Sequence, residues 1–194
     1  MGEVDYILGV NIQRDCSKKL LSLSQETYIK KILERFRMNS CKFVDTPIAR
    51  GETLSLEMCP KTENEKEDMS QVPYSSAVES LMYAMMCTRP DICYAIGLVS
   101  RYQSSPRRDH WKDVKRIFRY LKGTADYSLC YSENDLYLGG YIDVDWASDR
   151  NDRKSTSGYA FLLNGGAISW KNKKQTCTAL SIMEAEFVAC ASAI

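Results

Sequence analysis

The chain has 194 residues, of which 44% are hydrophobic and 26% charged, the make-up of an ordinary globular protein of one or two domains. Its net charge of +1 says nothing about partners, so only the local placement of charge can. No apolar run approaches the roughly 18 residues of a membrane helix, the N-terminus lacks a signal pattern, and Tyr6 stands where myristoylation after Met1-Gly2 needs Ser or Thr. The expectation is an intracellular protein, cytoplasmic or nuclear, with no membrane partner.

In chain order, residues 6–13 read as a strand, a turn follows at 15–18, and residues 20–24 alternate as a returning strand. Gly9 marks a bulge or a close backbone approach. Ser24 is placed to cap a helix whose stripe is Tyr28, Ile29, Ile32, Leu33 and Phe36, ending near Asn39. From 45 to 72 the pattern dissolves: Pro47, Gly51, Pro60 and the acidic run TENEKED predict an exposed loop or linker. A helix resumes at Ser75 with Val78, Leu81, Met82, Met85 and Met86 on one stripe. Pro90 suits the first turn of the next helix, which carries Ile92, Ala95, Ile96 and Val99.

The following helix starts after Pro106, with Asp109 as its expected cap. It turns Trp111, Val114, Ile117, Phe118 and Leu121 inward and closes at Gly123. Its polar side is basic: Arg107, Arg108, Lys112, Lys115, Arg116, Arg119 and Lys122, with Arg101 just before it. Such a face can lie along a phosphate backbone, or simply be solvated; the helix alone does not decide.

From Thr124 the period changes to two. Residues 127–131, 136–146, 158–163 and 167–170 read as strands, with Asn164-Gly165-Gly166 as a tight turn. A helix begins near Ser181 and runs to Ile194, its apolar stripe being Met183, Phe187, Cys190 and Ile194. The fold class is therefore α+β, with a boundary between Gly123 and Asn134. Within residues 141–146, Tyr141, Asp143 and Asp145 share one strand face and Ile142, Val144 and Trp146 the other. Paired carboxylates repel unless a cation neutralises them, which is the pattern of a hard-metal site; an exposed strand with solvated acids is the alternative. The eight cysteines include no C-x-x-C pair and His110 is the only histidine, so a Cys/His zinc site has little support and free thiols in a reducing compartment are expected.

TRPDI at 88–92, RYLKGT at 119–124, RKSTSGY at 153–159, AISW at 167–170 and EAEF at 184–187 occur in that order, with LGVNIQRD and LSQETYI earlier and VPYSSAVESLMYAM between. In these motifs the chain resembles the pol polyprotein of copia-type LTR retrotransposons along essentially its whole length. The resemblance implies four segments. Residues 1–44 are similar to a reverse-transcriptase primer-grip hairpin and helix, with Leu8 and Gly9 at the grip. Residues 45–73 are an acidic linker, and 74–126 thumb- or connection-like helices with the basic face. Residues 127–194 resemble the N-terminal part of a ribonuclease H domain, a mixed sheet with its first helix.

By that resemblance Asp143 is the first catalytic and metal-binding carboxylate, Glu184 the second, and Asp145 a second choice. The expected ion is Mg²⁺ or Mn²⁺, the partner an RNA–DNA hybrid or duplex nucleic acid, and no small-molecule cofactor is implied. Helical periodicity leaves Glu184 and Glu186 at about equal angles to the apolar stripe; only the family motif selects Glu184, and Ile182-Met183 replaces the Ser or Thr the family usually has before it. The family's polymerase Asp-Asp motif and later ribonuclease H carboxylates lie outside these residues. The expectation is a fragment inactive by itself. Its alternatives are a non-catalytic nucleic-acid binder using residues 107–122, or a piece that completes a partner chain, such as the remainder of the polymerase, through an open sheet edge. Marginal stability or association follows from that edge.

Overall fold

The computed structural model describes residues 4–49, 51, 54–132 and 137–193. The expected strand start at Leu136, the boundary residue Asn134, the helix position Ile194 and Met1-Gly2 fall outside them. The described residues form an α+β fold of seven strands and six α-helices, in two sheets. They divide into two compact units: one comprises residues up to Arg14 with Ser22–Leu129, the other Asp15–Leu21 with Cys130 onward.

In the first unit the expected opening strand is two. β1 (Tyr6–Ile7) pairs antiparallel with β2 (Val10–Asp15), Ile7 opposite Val10 and Tyr6 opposite Asn11. The two residues between them, Leu8 and Gly9, both take positive φ, at 48° and 80°. Consecutive positive φ values make a hairpin turn whose twist matches that of the strands, and a glycine at one of the two positions removes its steric cost. β3 (Leu20–Ser24) lies beside β2 in the same sheet.

α1 (Glu26–Arg35) follows. The Ser24 hydroxyl accepts from the Glu26 N–H at 3.2 Å, so it does serve the first turn, though the cap position itself is Gln25. The helix stops at Arg35, ahead of the expected Asn39, because Arg37 turns into left-handed backbone at φ 55°.

Residues 45–73, expected to be irregular, contain a 3-10 turn at Leu56–Met58 and α2 (Glu63–Ser70). The acidic run is a helix because its first turn is capped reciprocally. The Thr62 hydroxyl accepts from the Glu65 N–H at 3.3 Å, and the Glu65 carboxylate reaches back to the Thr62 N–H. Leu54 and Met69 anchor the stretch in the core. α3 (Tyr74–Cys87), α4 (Cys93–Val99) and α5 (Arg108–Gly123) complete the unit. Their buried faces are the predicted stripes, except that Met86 is exposed. α5 is not capped by Asp109; the Arg107 N–H donates to His110 Nδ1 at 3.0 Å instead.

One polar knot holds this core. Arg89 is buried, its guanidinium donating to the Asp91 carboxylate at 2.7–3.3 Å and to the carbonyl and hydroxyl of Thr124 at 2.8 and 2.5 Å. The Tyr120 and Tyr127 rings lie 5.6 and 5.7 Å from its charge. The Tyr120 hydroxyl donates to Asp91 at 2.8 Å, and burial together with that carboxylate pushes its pKa up to about 12. The guanidinium joins the turn before α4 to the end of α5, which is the physical content of the TRPDI and RYLKGT motifs.

The second unit is an antiparallel meander of β5 (Leu138–Asp145), β6 (Thr156–Leu163) and β7 (Gly166–Lys174), followed by α6 (Ile182–Ala193), which packs on β5 and β6. β4 (Ser128–Ser132) precedes the meander, and the Tyr131 hydroxyl donates to the Ala167 carbonyl at 2.6 Å. Asn164 and Gly165 make the predicted turn between β6 and β7, and the Asn164 side chain accepts from the Tyr137 N–H and donates to the Ser132 carbonyl, each at 2.8 Å.

The face that α6 buries differs from the expected one. Ala185 and Ala189 are buried, whereas Met183 is 82% exposed, Phe187 74% exposed, and Cys190 exposed. Small side chains let the helix approach the sheet closely, and that proximity outweighs the burial of the larger residues on its other side. Among the described residues no helix is long and apolar enough to cross a membrane.

Candidate carboxylate site and nucleic-acid interface

The strand pairing decides where the carboxylates stand. Asp143 is opposite Gly158 and Asp145 opposite Thr156; both acids lie on one face of β5 and are exposed, as alternation requires. Val144 on the other face is half-buried, and the Trp146 indole N–H donates to the Ala179 carbonyl at 3.4 Å.

Glu184 stands in the first turn of α6. Its Oε2 accepts from the Leu180 N–H at 2.7 Å while its own N–H donates to the Ser181 hydroxyl at 3.2 Å. This is a helix-start arrangement, legible in the sequence as Ser181-x-x-Glu184, and it gives the carboxylate a structural task at the helix start. Glu186 is half-buried. Among the described residues no three or more His, Cys, Asp or Glu side chains are grouped to hold a metal ion.

A further acid stands outside the sequence-predicted set. Asp149, in the loop after β5, is buried and accepts from the Asn151 and Asp152 N–H groups at 2.9 and 3.3 Å. Lys174 pairs with it at 3.2 Å and with Asp152 at 3.1 Å. Burial raises the Asp149 pKa, but the two backbone donors and Lys174 more than offset it and hold the carboxyl below its ordinary range. Turn-forming Asp and Asn in SDRNDRK was the signal available. The cluster fixes the loop that joins β5 to β6.

The basic face of α5 is largely occupied. Arg107 pairs with Glu65 at 2.6 Å, and Lys112 with Asp109 at 2.6 Å. Arg116 donates to the Thr46 hydroxyl at 3.0 Å, Arg119 to the Lys42 carbonyl at 2.8 Å, and Lys122 to the Cys41 carbonyl at 2.6 Å. Three of the predicted phosphate contacts therefore clamp the segment 41–46 against the helix. Gly123 completes the clamp: a Cβ there would meet the Phe43 side chain at 3.0 Å. Arg108 is exposed and Lys115 half-buried. Leu8 and Gly9 sit at the tip of the β1–β2 hairpin; Leu8 is exposed, and its carbonyl accepts from the Tyr83 hydroxyl.

With this geometry in place, the chain can be set beside known proteins. It is 52% identical over 189 residues to the "Retrovirus-related Pol polyprotein from transposon TNT 1-94" of Nicotiana tabacum, covering 97% of this chain and 14% of that protein. It is 38% identical over 186 residues to the "Retrovirus-related Pol polyprotein from transposon RE2" of Arabidopsis thaliana, covering 95% of this chain and 12% of that one. It is also 48% identical over 126 residues to the "Secreted RxLR effector protein 161" of Plasmopara viticola, covering 64% of this chain and 89% of the effector. The chain thus spans only a small fraction of the polyproteins and most of the shorter relative. No family model matches it, and no solved structure does.

Proposed function

Because the chain belongs to the copia-type retrotransposon Pol polyproteins, we propose that it is the stretch in which the end of a reverse transcriptase gives way to the start of a ribonuclease H domain. The parent activities are RNA-directed DNA synthesis and cleavage of RNA in RNA–DNA hybrids. The observation that carries this reading is the second unit: a three-stranded antiparallel meander, an exposed carboxylate pair on its first strand, and a helix packed back on that strand. In that frame the hairpin tip at Leu8 and Gly9 takes the primer-grip position, and α3 to α5 the thumb or connection.

The donor set does not amount to a magnesium site by itself. A hard cation takes six or so oxygen ligands, and these residues offer the adjacent pair Asp143 and Asp145, with Glu184 partly committed to the start of α6. That pair would bind Mg²⁺ or Mn²⁺ weakly, and no hydrolytic step is assigned to these residues. The 194 residues act as a nucleic-acid-contacting segment without turnover of their own.

The test is an RNA–DNA hybrid incubated with the purified chain and Mg²⁺ or Mn²⁺. Hybrid is expected to be bound and left uncut. Cleavage that disappears in Asp143→Asn would overturn the inactivity of the segment and establish Asp143 as catalytic.

A further inference from the structure

A groove of about 220 Å³ runs between the later turns of α6 and strands β6 and β7. Its floor is Ser157 and Tyr159, its helical wall Val188, Ala189 and Ser192, and its rim Lys171 and Lys173. The pairing sets this up: Lys173 is opposite Ser157 and Lys171 opposite Tyr159, so both lysines stand on the face toward the helix. Both are exposed, and among the described residues no acidic side chain lines the groove. Lys174, which also borders it, is already neutralised by Asp149 and Asp152.

A buried amide shapes the groove. Gln175 lines the groove and is 7% exposed. Its amide is oriented, since Nε2 donates to the Ser157 hydroxyl at 2.8 Å and to the Ala185 carbonyl at 2.9 Å. Its Oε1 is buried and accepts nothing among the described residues. The amide therefore ties the end of β7 to α6 and holds the groove in shape.

The ligand is therefore anionic and presents a flat apolar surface to Tyr159 and Val188. At 220 Å³ the groove is below the roughly 300–1,000 Å³ of sites that enclose a whole drug-sized molecule. It can take one unit of a polymer. We propose that this groove seats one nucleotide of a single-stranded nucleic acid, its phosphates against Lys171 and Lys173 and its base on Tyr159. Choosing nucleic acid over another anion rests on the proposed function; the chemistry of the groove does not. The consequence is that strand contact in this unit is made by β7 and α6, away from the carboxylate face of β5.

The test uses the full chain and fluorescence anisotropy with a short labelled oligodeoxyadenylate, an abasic strand of the same length, and an RNA–DNA hybrid. Lys171→Gln combined with Lys173→Gln changes two exposed side chains and leaves the fold intact. Affinity for the oligodeoxyadenylate is expected to fall about tenfold or more, and its salt slope to shrink by about 1.4, at roughly 0.7 per phosphate contact on a single strand. The abasic strand should bind the unsubstituted chain several-fold more weakly than the base-bearing one. Unchanged affinity in the double variant, or an abasic strand that binds equally well, overturns the groove assignment. If hybrid binding persists in that case, the proposed function survives; if the unsubstituted chain binds none of the three probes, both fall.

Discussion

The two units solve burial differently. In the first, large side chains from α1, α3, α4 and α5 meet in one cluster: Ile29, Leu81, Ile96, Ile117, Phe118 and Leu121 are all nearly or wholly inaccessible. In the second, the buried apolar residues among those described are Ala167, Ala179, Ala185 and Ala189, while Tyr141, Trp146, Ile168, Leu180, Met183 and Phe187 remain exposed. Apolar burial stabilises by about 25 cal/mol per Å², so the first unit draws its stability from its own side chains. The second holds its shape through strand pairing, the Asn164–Gly165 turn and the Asp149–Lys174 cluster, with much apolar surface still in water. A helix that is apolar on both faces is characteristic of a buried setting, and α6 has that composition.

The sharpest way to break this comparison is to truncate one phenylalanine in each unit. Phe118→Ala is expected to lower stability by about 3–5 kcal/mol, since it removes a fully buried ring from a close-packed cluster. Phe187→Ala should change stability by no more than about 0.5 kcal/mol, because the ring is mostly in solvent already. Denaturant unfolding followed by circular dichroism reads both; a Phe187→Ala loss as large as that of Phe118→Ala would mean the α6 face is covered in solution.

A smaller effect separates structural from binding roles on α5. Arg119→Gln removes the donor to the Lys42 carbonyl and should lower stability by about 1 kcal/mol, with affinity for hybrid almost unchanged. A large loss of affinity at unchanged stability would restore the phosphate-contact role to this side chain.

The smallest expected effect is a pH dependence confined to the first unit. His110 is the only histidine. It is fully buried, stacked on Tyr102 at 4.3 Å, and its Nε2 has no partner among the described residues. Burial lowers its pKa below 6.5, Asp109 opposing and Arg107 reinforcing the shift. A base with a depressed folded pKa binds more protons when unfolded. Its contribution to stability is therefore complete above pH 6.5 and is lost as pH falls from there. Unfolding midpoints measured down a pH series should show this decline, and His110→Gln should flatten it.

Much of the first unit was legible because its residues alternate between buried and exposed at helical spacing, and the stripes of α1, α3, α4 and α5 follow that spacing closely. The basic side of α5 was visible as charge but not as structure. Arg116, Arg119 and Lys122 bond to residues some 70 to 80 positions away, and no local pattern encodes a partner at that distance. Glu184 shows the opposite case: a local helix-start pattern, Ser181-x-x-Glu184, is present in the sequence at the same position as the family motif.

Backbone periodicity and short-range chemistry set the class, most but not all of the order of elements, the turn at Asn164–Gly165 and the shared face of Asp143 and Asp145; α2 and the split of the opening strand escaped them. Only the tertiary structure decided which face of α6 is buried, which cations are already committed, and that Lys171, Lys173 and Gln175 line a single groove. Those outcomes depend on how closely two surfaces can approach and on which buried polar atoms find partners, and neither quantity is written in the residues one at a time.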